Sequence, residues 1–153
     1  MVEQDNLIGE ALFALGSLAI RRRDRTLSLT GVSTLAALER TGPRRVTDLA
    51  VAEEVTQPSM TALVTQLEHL GLAERRRDPA DARVVLVAIT RTGRQHLRAM
   101  RRAGASVLAG LIDKLSTQQA GALREALPAL LRLTELATER PDGQAGSPSV
   151  VVR

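Results

Sequence analysis

Four arginines and two aspartates crowd into the stretch RRRDPADAR, Arg75 to Arg83. Guanidinium groups grip phosphates and carboxylates through paired N–H donors, so Arg75, Arg76, Arg77 and Arg83 are candidates for holding an anion. Asp78-Pro79, with Asp81 shortly after, has the residue types of a turn, which explains both carboxylates without an acid–base pair. A second set lies upstream: Thr56, Gln57, Pro58, Ser59, Thr61, Ala62, Thr65, Gln66 and His69 share one side of a helical repeat and include no acid. Short hydroxyls, amides and methyl groups suit base edges and phosphates, whereas a merely solvated helix face usually carries Glu and Lys. Other chemistry is hardly offered. His69 and His96 lack HxxxH or HExxH spacing, cysteine is absent, and neither a Gly-rich phosphate loop nor a nucleophile elbow is present. The expectation is a protein that is not an enzyme and needs no metal or cofactor.

The elements that must position these groups run from Thr47 to Val87. Met60, Leu63, Val64, Leu67 and Leu70 recur at three- and four-residue steps, so this segment is a helix with one apolar stripe turned to a core. Thr56 is its N-cap, Pro58 falls in the first turn where a missing N–H costs little, and Gly71 suits a left-handed C′ residue. A shorter helix precedes it, capped by Thr47, with Val46 stapled to Val51 and with Leu49, Ala50 and Val55 inward. Leu72 to Arg77 and Arg83 to Ile89 are predicted strands around the charged turn. Helix, tight turn, helix and hairpin is the layout of a winged-helix DNA reader. Arg44 and Arg45, just ahead of it, are candidate phosphate contacts.

Charge follows the same boundaries. Residues 40–102 hold twelve arginines against seven acids, residues 1–39 four against five, and residues 103–153 five basic against five acidic groups. The basic excess therefore lies in the segment with the reader, as a phosphate-binding surface requires. The chain has 153 residues and is 44% hydrophobic, enough for one compact domain with an appended dimerisation element. It shows no apolar run of membrane-spanning length and no signal peptide, so a cytoplasmic location is expected.

Around the reader the pattern is helical. Residues 5–24 form a broad apolar stripe (Leu7, Ile8, Ala11, Leu12, Leu15, Leu18, Ala19) before the RRRDR cluster at Arg21–Arg25, wide enough to need a partner helix from another subunit. A second helix opens at Thr30, with Val32, Leu35, Ala36 and Leu38 inward, and stops at Gly42-Pro43. Thr90 caps a long helix from Arg91 to about Leu115, and a capping box of Ser116 with Gln119 opens the last, which Pro128 should kink near Arg124. Residues 139–153 are expected to be a disordered tail.

With these elements in place, the chain resembles the MarR family of bacterial transcription regulators over roughly residues 5–138. The most specific part is LEHLGLAERRRDPADARVVLVAITRTG, Leu67 to Gly93, with its leucine-glutamate helix end, Gly-Leu, basic strand, Asp-Pro-x-Asp-x-Arg, alternating apolar residues and Thr-x-x-Gly. The resemblance implies a mainly α fold with a small β-hairpin wing, a winged helix-turn-helix with N- and C-terminal dimerisation helices. Residues 5–27 and 91–138 would form the helical dimerisation region, and residues 28–90 the DNA-binding domain. The expected partners are pseudo-palindromic double-stranded DNA and a second copy of the chain. Arg83, at the wing tip, would enter a minor groove, with Asp81 orienting it; narrow A·T-rich grooves concentrate negative potential and favour Arg.

Two positions depart from the family pattern. Ala62 stands where relatives often carry arginine, and no Arg or Lys lies between Thr56 and Leu70. Bidentate guanine readout by this helix is thus excluded, leaving Gln57, Ser59, Thr61, Thr65, thymine methyl contacts and the wing to carry specificity. Glu54 stands where a glycine commonly makes the turn. The resemblance also implies a repressor released by a small lipophilic or aromatic-acid effector. Its candidate crevice is lined by Leu12, Phe13, Gly16, Val32, Leu35 and Met100, with Arg21 or Arg22 for a carboxylate. The competing function class is a winged-helix protein-interaction module without sequence preference on DNA.

Overall fold

The structure, a computed structural model, describes residues 1–21 and 26–138, the Arg21 and Thr138 side chains excepted. Its elements are α1 (Val2–Arg21), α2 (Leu29–Thr41), α3 (Val46–Ala52), α4 (Gln57–His69), β1 (Ala73–Arg77), β2 (Val85–Ile89), α5 (Arg91–Ile112), α6 (Thr117–Glu125) and α7 (Leu127–Thr138). Two compact units result, Met1–Ala109 and Gly110–Arg153. The expected tail and most of the RRRDR cluster lie outside the described residues.

In the first unit α2, α3, α4 and the hairpin close around one core. Leu35, Leu38, Leu49, Met60, Val64, Leu67, Val87 and Leu97 are buried there, with Leu63, Val46 and Val55 packed at its margin. Each large side chain so buried contributes roughly 1.5–3 kcal/mol. The apolar stripe of α4 thus faces inward as its spacing required, except that Leu70 is exposed at the C-cap. Thr56 caps α4, its Oγ1 accepting the Ser59 N–H at 3.3 Å. At the other end Gly71, at φ +69°, donates to Glu68 O at 2.8 Å and Leu72 to Leu67 O at 2.9 Å. These two bonds form a Schellman motif, which ends the helix and aims the chain into β1.

Three helix starts differ from the sequence expectation. Ser28, not Thr30, caps α2 and accepts the Gly31 N–H at 3.0 Å; serine is the better N-cap, and the earlier start buries Leu27 and Gly31. Arg45, not Thr47, occupies the N-cap of α3 and supplies no side-chain bond. Arg44 explains this, since its N–H donates to Val87 O at 3.0 Å and its C=O accepts the Val87 N–H at 2.7 Å, so the helix begins as soon as that bridge releases the chain. The expected Val46–Val51 staple does not form: Val51 is 79% exposed, and Val46 packs on the core instead. The first helix begins at Val2 rather than at residue 5, and its expected end at residue 24 lies outside the described residues.

The strands are antiparallel, in register from Ala73↔Ile89 to Arg77↔Val85, and each starts later than expected, β1 by one residue at the base of the wing and β2 by two at its tip. Burial declines along the hairpin, Val87, Ala88 and Ile89 being buried and Val85 exposed, so the base of the wing is core and its tip is surface. Thr90 locks the exit. Its N–H donates to Leu72 O at 3.0 Å, its Oγ1 donates to Gly71 O at 2.7 Å, and the same oxygen accepts the Gly93 N–H at 3.0 Å. A Cβ at position 93 would lie 2.2 Å from Leu72 O, so only glycine fits there.

The long helix α5 ends at Ile112 instead of Leu115, because Lys114 and Leu115 turn back to Leu111 O and Ile112 O in i→i−3 bonds. In the second unit, Ser116 and Gln119 exchange both bonds of the capping box at 3.1 and 3.2 Å. Pro128, with no N–H to give Arg124, separates α6 from α7 at Ala126.

Candidate nucleic-acid interface

The reader face, the helix-turn-helix turn and the wing can be built from these bonds. Between α3 and α4 the turn passes through Glu54 at φ +54°, the one non-glycine residue at positive φ among those described. Glu54 donates to Val51 O at 3.2 Å and Val55 to Ala50 O at 3.0 Å, so the turn closes without the glycine. Ahead of α4, the Ser33 hydroxyl donates to Glu53 Oε1 at 2.9 Å and ties the same turn to α2.

On α4 the predicted reader residues Thr56, Gln57, Pro58, Ser59, Thr61, Ala62 and Gln66 are exposed, and Thr65 is half-buried. Their hydrogen bonds sort them. Ser59 Oγ and Thr56 Oγ1 meet at 2.8 Å within the cap. Thr61 Oγ1 donates to Gln57 O at 2.8 Å, and Thr65 Oγ1 to Thr61 O at 3.0 Å. Gln57 and Gln66 make no side-chain hydrogen bond among the described residues, so their amides keep all donors and acceptors.

The wing loop is set by its aspartates. Asp78 Oδ1 accepts the Ala80 N–H at 2.8 Å, and Asp81 Oδ1 the Arg83 N–H at 2.9 Å. Asp78 N–H to Val84 O and Val84 N–H to Asp81 O, both 2.9 Å, close the loop. Asp81 therefore orients Arg83 through its backbone; the guanidinium itself enters no ion pair among the described residues and is exposed. Arg76 and Arg77 are likewise exposed on β1.

Arg75 behaves differently from its neighbours. Its guanidinium pairs with the Glu68 carboxylate and reaches Thr65 Oγ1 at 3.4 Å, while its backbone N–H donates to Glu68 Oε1 at 3.0 Å. Its charge is thus partly spent inside the protein, between wing and reader helix. The sequence alone does not assign Glu68 this role; its signal there is the Leu-Glu pair at the helix end, seven residues before Arg75. Arg44 is exposed, with Nε donating to Thr41 Oγ1 at 3.1 Å, and Arg45 is exposed with no side-chain hydrogen bond among the described residues.

These groups border one surface groove of about 570 Å³, lined by Arg45, Thr47, Gln57, Thr61, Arg75 and Val85. It joins the start of α3, the first turns of α4 and the wing. Three parts of the chain distant in sequence therefore meet at one channel, with Arg45, Arg75 and Gln57 on its lining beside an apolar wall of Val46, Val84 and Val85.

The residues expected to line an effector crevice lie in different settings. Leu35 is fully buried in the core and Val32 packs against it, while Leu12 and Phe13 are exposed on α1, Phe13 by 77%. Gly16 is exposed, with nothing within 4 Å of an added Cβ, and Met100 is half-buried on α5. Among the described residues no three His, Cys, Asp or Glu side chains gather as metal ligands, and no helix is long and apolar enough to cross a membrane.

Two helices joined by a tight turn, followed by a hairpin whose base shares their core, define a winged helix-turn-helix protein. Comparison with known proteins narrows the class. The MarR family matches residues 27–85. An HTH-type transcriptional regulator of Mycobacterium tuberculosis is 33% identical over 128 residues, 78% of this chain and 90% of that protein. One of Mycobacterium leprae is 31% identical over 118 residues, 77% of this chain and 82% of that protein. Among solved structures, a transcriptional regulator from Thermotoga maritima superposes with a TM-score of 0.73 at 22% identity, covering 92% of this chain and 99% of that one. A variant of Staphylococcus aureus MepR bound to an oligodeoxyribonucleotide gives 0.62 at 20% identity, covering 86% and 97%. The chain belongs to the MarR family of transcription regulators, proteins that regulate and are not enzymes.

Proposed function

We propose that the protein is a homodimeric, sequence-specific DNA-binding repressor. The observation that carries this reading is the single channel bordered by Gln57 and Thr61 of α4, Arg45 before α3, and Arg75 of the wing. A duplex lying over this surface meets the Gln57 amide and the Thr61 side chain at its bases and the Arg45 guanidinium at its phosphates, the division of labour that specific readers use. That a MepR variant of the same fold is bound to an oligodeoxyribonucleotide supports a DNA-binding reading.

Pairing is supported by apolar side chains left in solvent. Leu7, Ile8, Leu12, Phe13 and Leu15 are exposed on α1, and Leu127, Leu131, Leu133 and Leu136 on α7. Patches of this kind on a soluble protein mark association surfaces. A two-fold dimer would set two copies of α4 over half-sites about one helical turn apart, with Arg83 of each wing in the flanking minor groove. Occupying an operator in this way blocks transcription. Release by a small lipophilic or aromatic-acid effector belongs to the same reading, as does a cytoplasmic location.

The test is a gel-shift titration of promoter-derived duplexes over a range of salt. Affinity should fall steeply and linearly on logarithmic axes as displaced counterions are counted. A flat response, or equal affinity for every duplex, would instead favour the protein-interaction module.

A further inference from the structure

The middle of the outer face of α4 is hydrocarbon. At about 100° per residue, Pro58, Thr61, Ala62 and Thr65 share its centre, with His69 following them at the C-terminal end of the helix, while Gln57 and Gln66 fall at its two margins. The threonines belong to this hydrocarbon set because of where their hydroxyls go. Thr61 Oγ1 gives its proton to Gln57 O at 2.8 Å. Thr65 Oγ1 gives its proton to Thr61 O at 3.0 Å and accepts from Arg75 Nη2 at 3.4 Å, which also fixes its rotamer. Neither hydroxyl has a proton left for a base, so the methyl group is the main contact each threonine has to offer a partner.

Resting on the DNA-reading function above, we propose that α4 identifies its half-site through the 5-methyl groups of thymine, with Thr61, Ala62 and Thr65 as the contact residues. Thymine is the base that carries a methyl group into the major groove, and its pairing partner adenine offers N6 and N7 to a glutamine amide. Gln57 and Gln66, with free amides on either side of the methyl patch, read the same T·A pairs from their other strand. Guanine has no bidentate donor on this helix, since no Arg or Lys lies between Thr56 and Leu70. Methyl patch and amide flanks therefore select one base pair by two independent contacts.

The experiment uses the full chain and a duplex selected from random sequence by the purified protein. Each thymine of the half-site is replaced in turn by uracil, which lacks only the methyl group, and affinity is read by fluorescence anisotropy. Burying one methyl group predicts about fourfold weaker binding at each contacted thymine. Thr61→Ser keeps the hydroxyl and removes the methyl group, and should bring the thymine/uracil ratio at its position towards one. Thr61→Val keeps the methyl group and removes the hydroxyl, and should preserve that ratio. Circular dichroism and affinity for random duplex show that both variants are folded. Equal affinity for thymine and uracil at every position, or discrimination kept by the serine variant and lost by the valine variant, overturns the proposal. If no duplex is enriched at all, the DNA-reading function falls and this inference with it; an enriched duplex indifferent to uracil removes methyl readout alone.

Discussion

The Glu68 carboxylate accepts two bonds from Arg75, one from its backbone N–H at 3.0 Å and one from its guanidinium, and so fastens the end of α4 to the edge of β1. Sheet geometry explains why the backbone bond is available. Val87, paired with Arg75, gives its own N–H and C=O to Arg44, so Arg75 faces Val87 as a non-hydrogen-bonded pair and turns its N–H outward. Without Glu68 that N–H would face solvent on an unpaired edge.

Glu68→Ala should therefore loosen the wing more than it weakens the fold. The pair is partly exposed, its side chains 32% and 26% accessible, so stability should drop by no more than about 1 kcal/mol in thermal unfolding. Specific DNA affinity should fall severalfold while affinity for random duplex holds; a parallel loss of both would make Glu68 a mere phosphate-side neighbour.

Arg83→Ala tests the wing tip. Its guanidinium is exposed and held only through the backbone bond to Asp81. Specific binding should weaken by on the order of 1–3 kcal/mol, with a salt slope shallower by about one phosphate contact. Unchanged affinity would take the wing out of recognition.

Thr34 is fully buried on α2, and its Oγ1 has no hydrogen-bond partner among the described residues. An unmet buried hydroxyl costs roughly 1–3 kcal/mol. Thr34→Val keeps the shape and should raise the unfolding midpoint; a lower one would mean that the hydroxyl is satisfied in solution.

Gly93→Ala should destabilise by about 1–3 kcal/mol, because the new methyl group meets a backbone carbonyl rather than a side chain that could swing away. Denaturant titration reads this directly, and a neutral result would show that α5 can shift away from Leu72.

Glu54→Gly should act in the opposite direction. Left-handed backbone costs an L-residue roughly 1–2 kcal/mol, partly offset by the freedom glycine gains in the unfolded chain. A net gain of about 0.5–1 kcal/mol in unfolding free energy is expected.

The helix starts show where local sequence is a sufficient guide and where it fails. Thr56, Ser116 and Thr90 were legible because the cap and the group it satisfies lie within three residues of each other. Thr47 failed as a cap because the start of α3 is set by Val87, far along the chain, through its bridge to Arg44. Val51 failed as a staple partner because the core offered Val46 a better surface.

The same division runs through the candidate interface. Period and turn chemistry in the sequence determined that a helix would bury Met60, Val64 and Leu67 and expose Gln57, Thr61 and Gln66, and that Asp78 and Asp81 would fold a charged loop. Those are short-range consequences of repeat and residue type. Only the tertiary structure decided which groups remain available to a partner. It committed Arg75 to Glu68, turned the hydroxyls of Thr61 and Thr65 into the helix, and left Arg83 exposed. A hydrogen bond depends on which atoms meet, and for Arg75 and Glu68 that meeting exists only once strand and helix have packed.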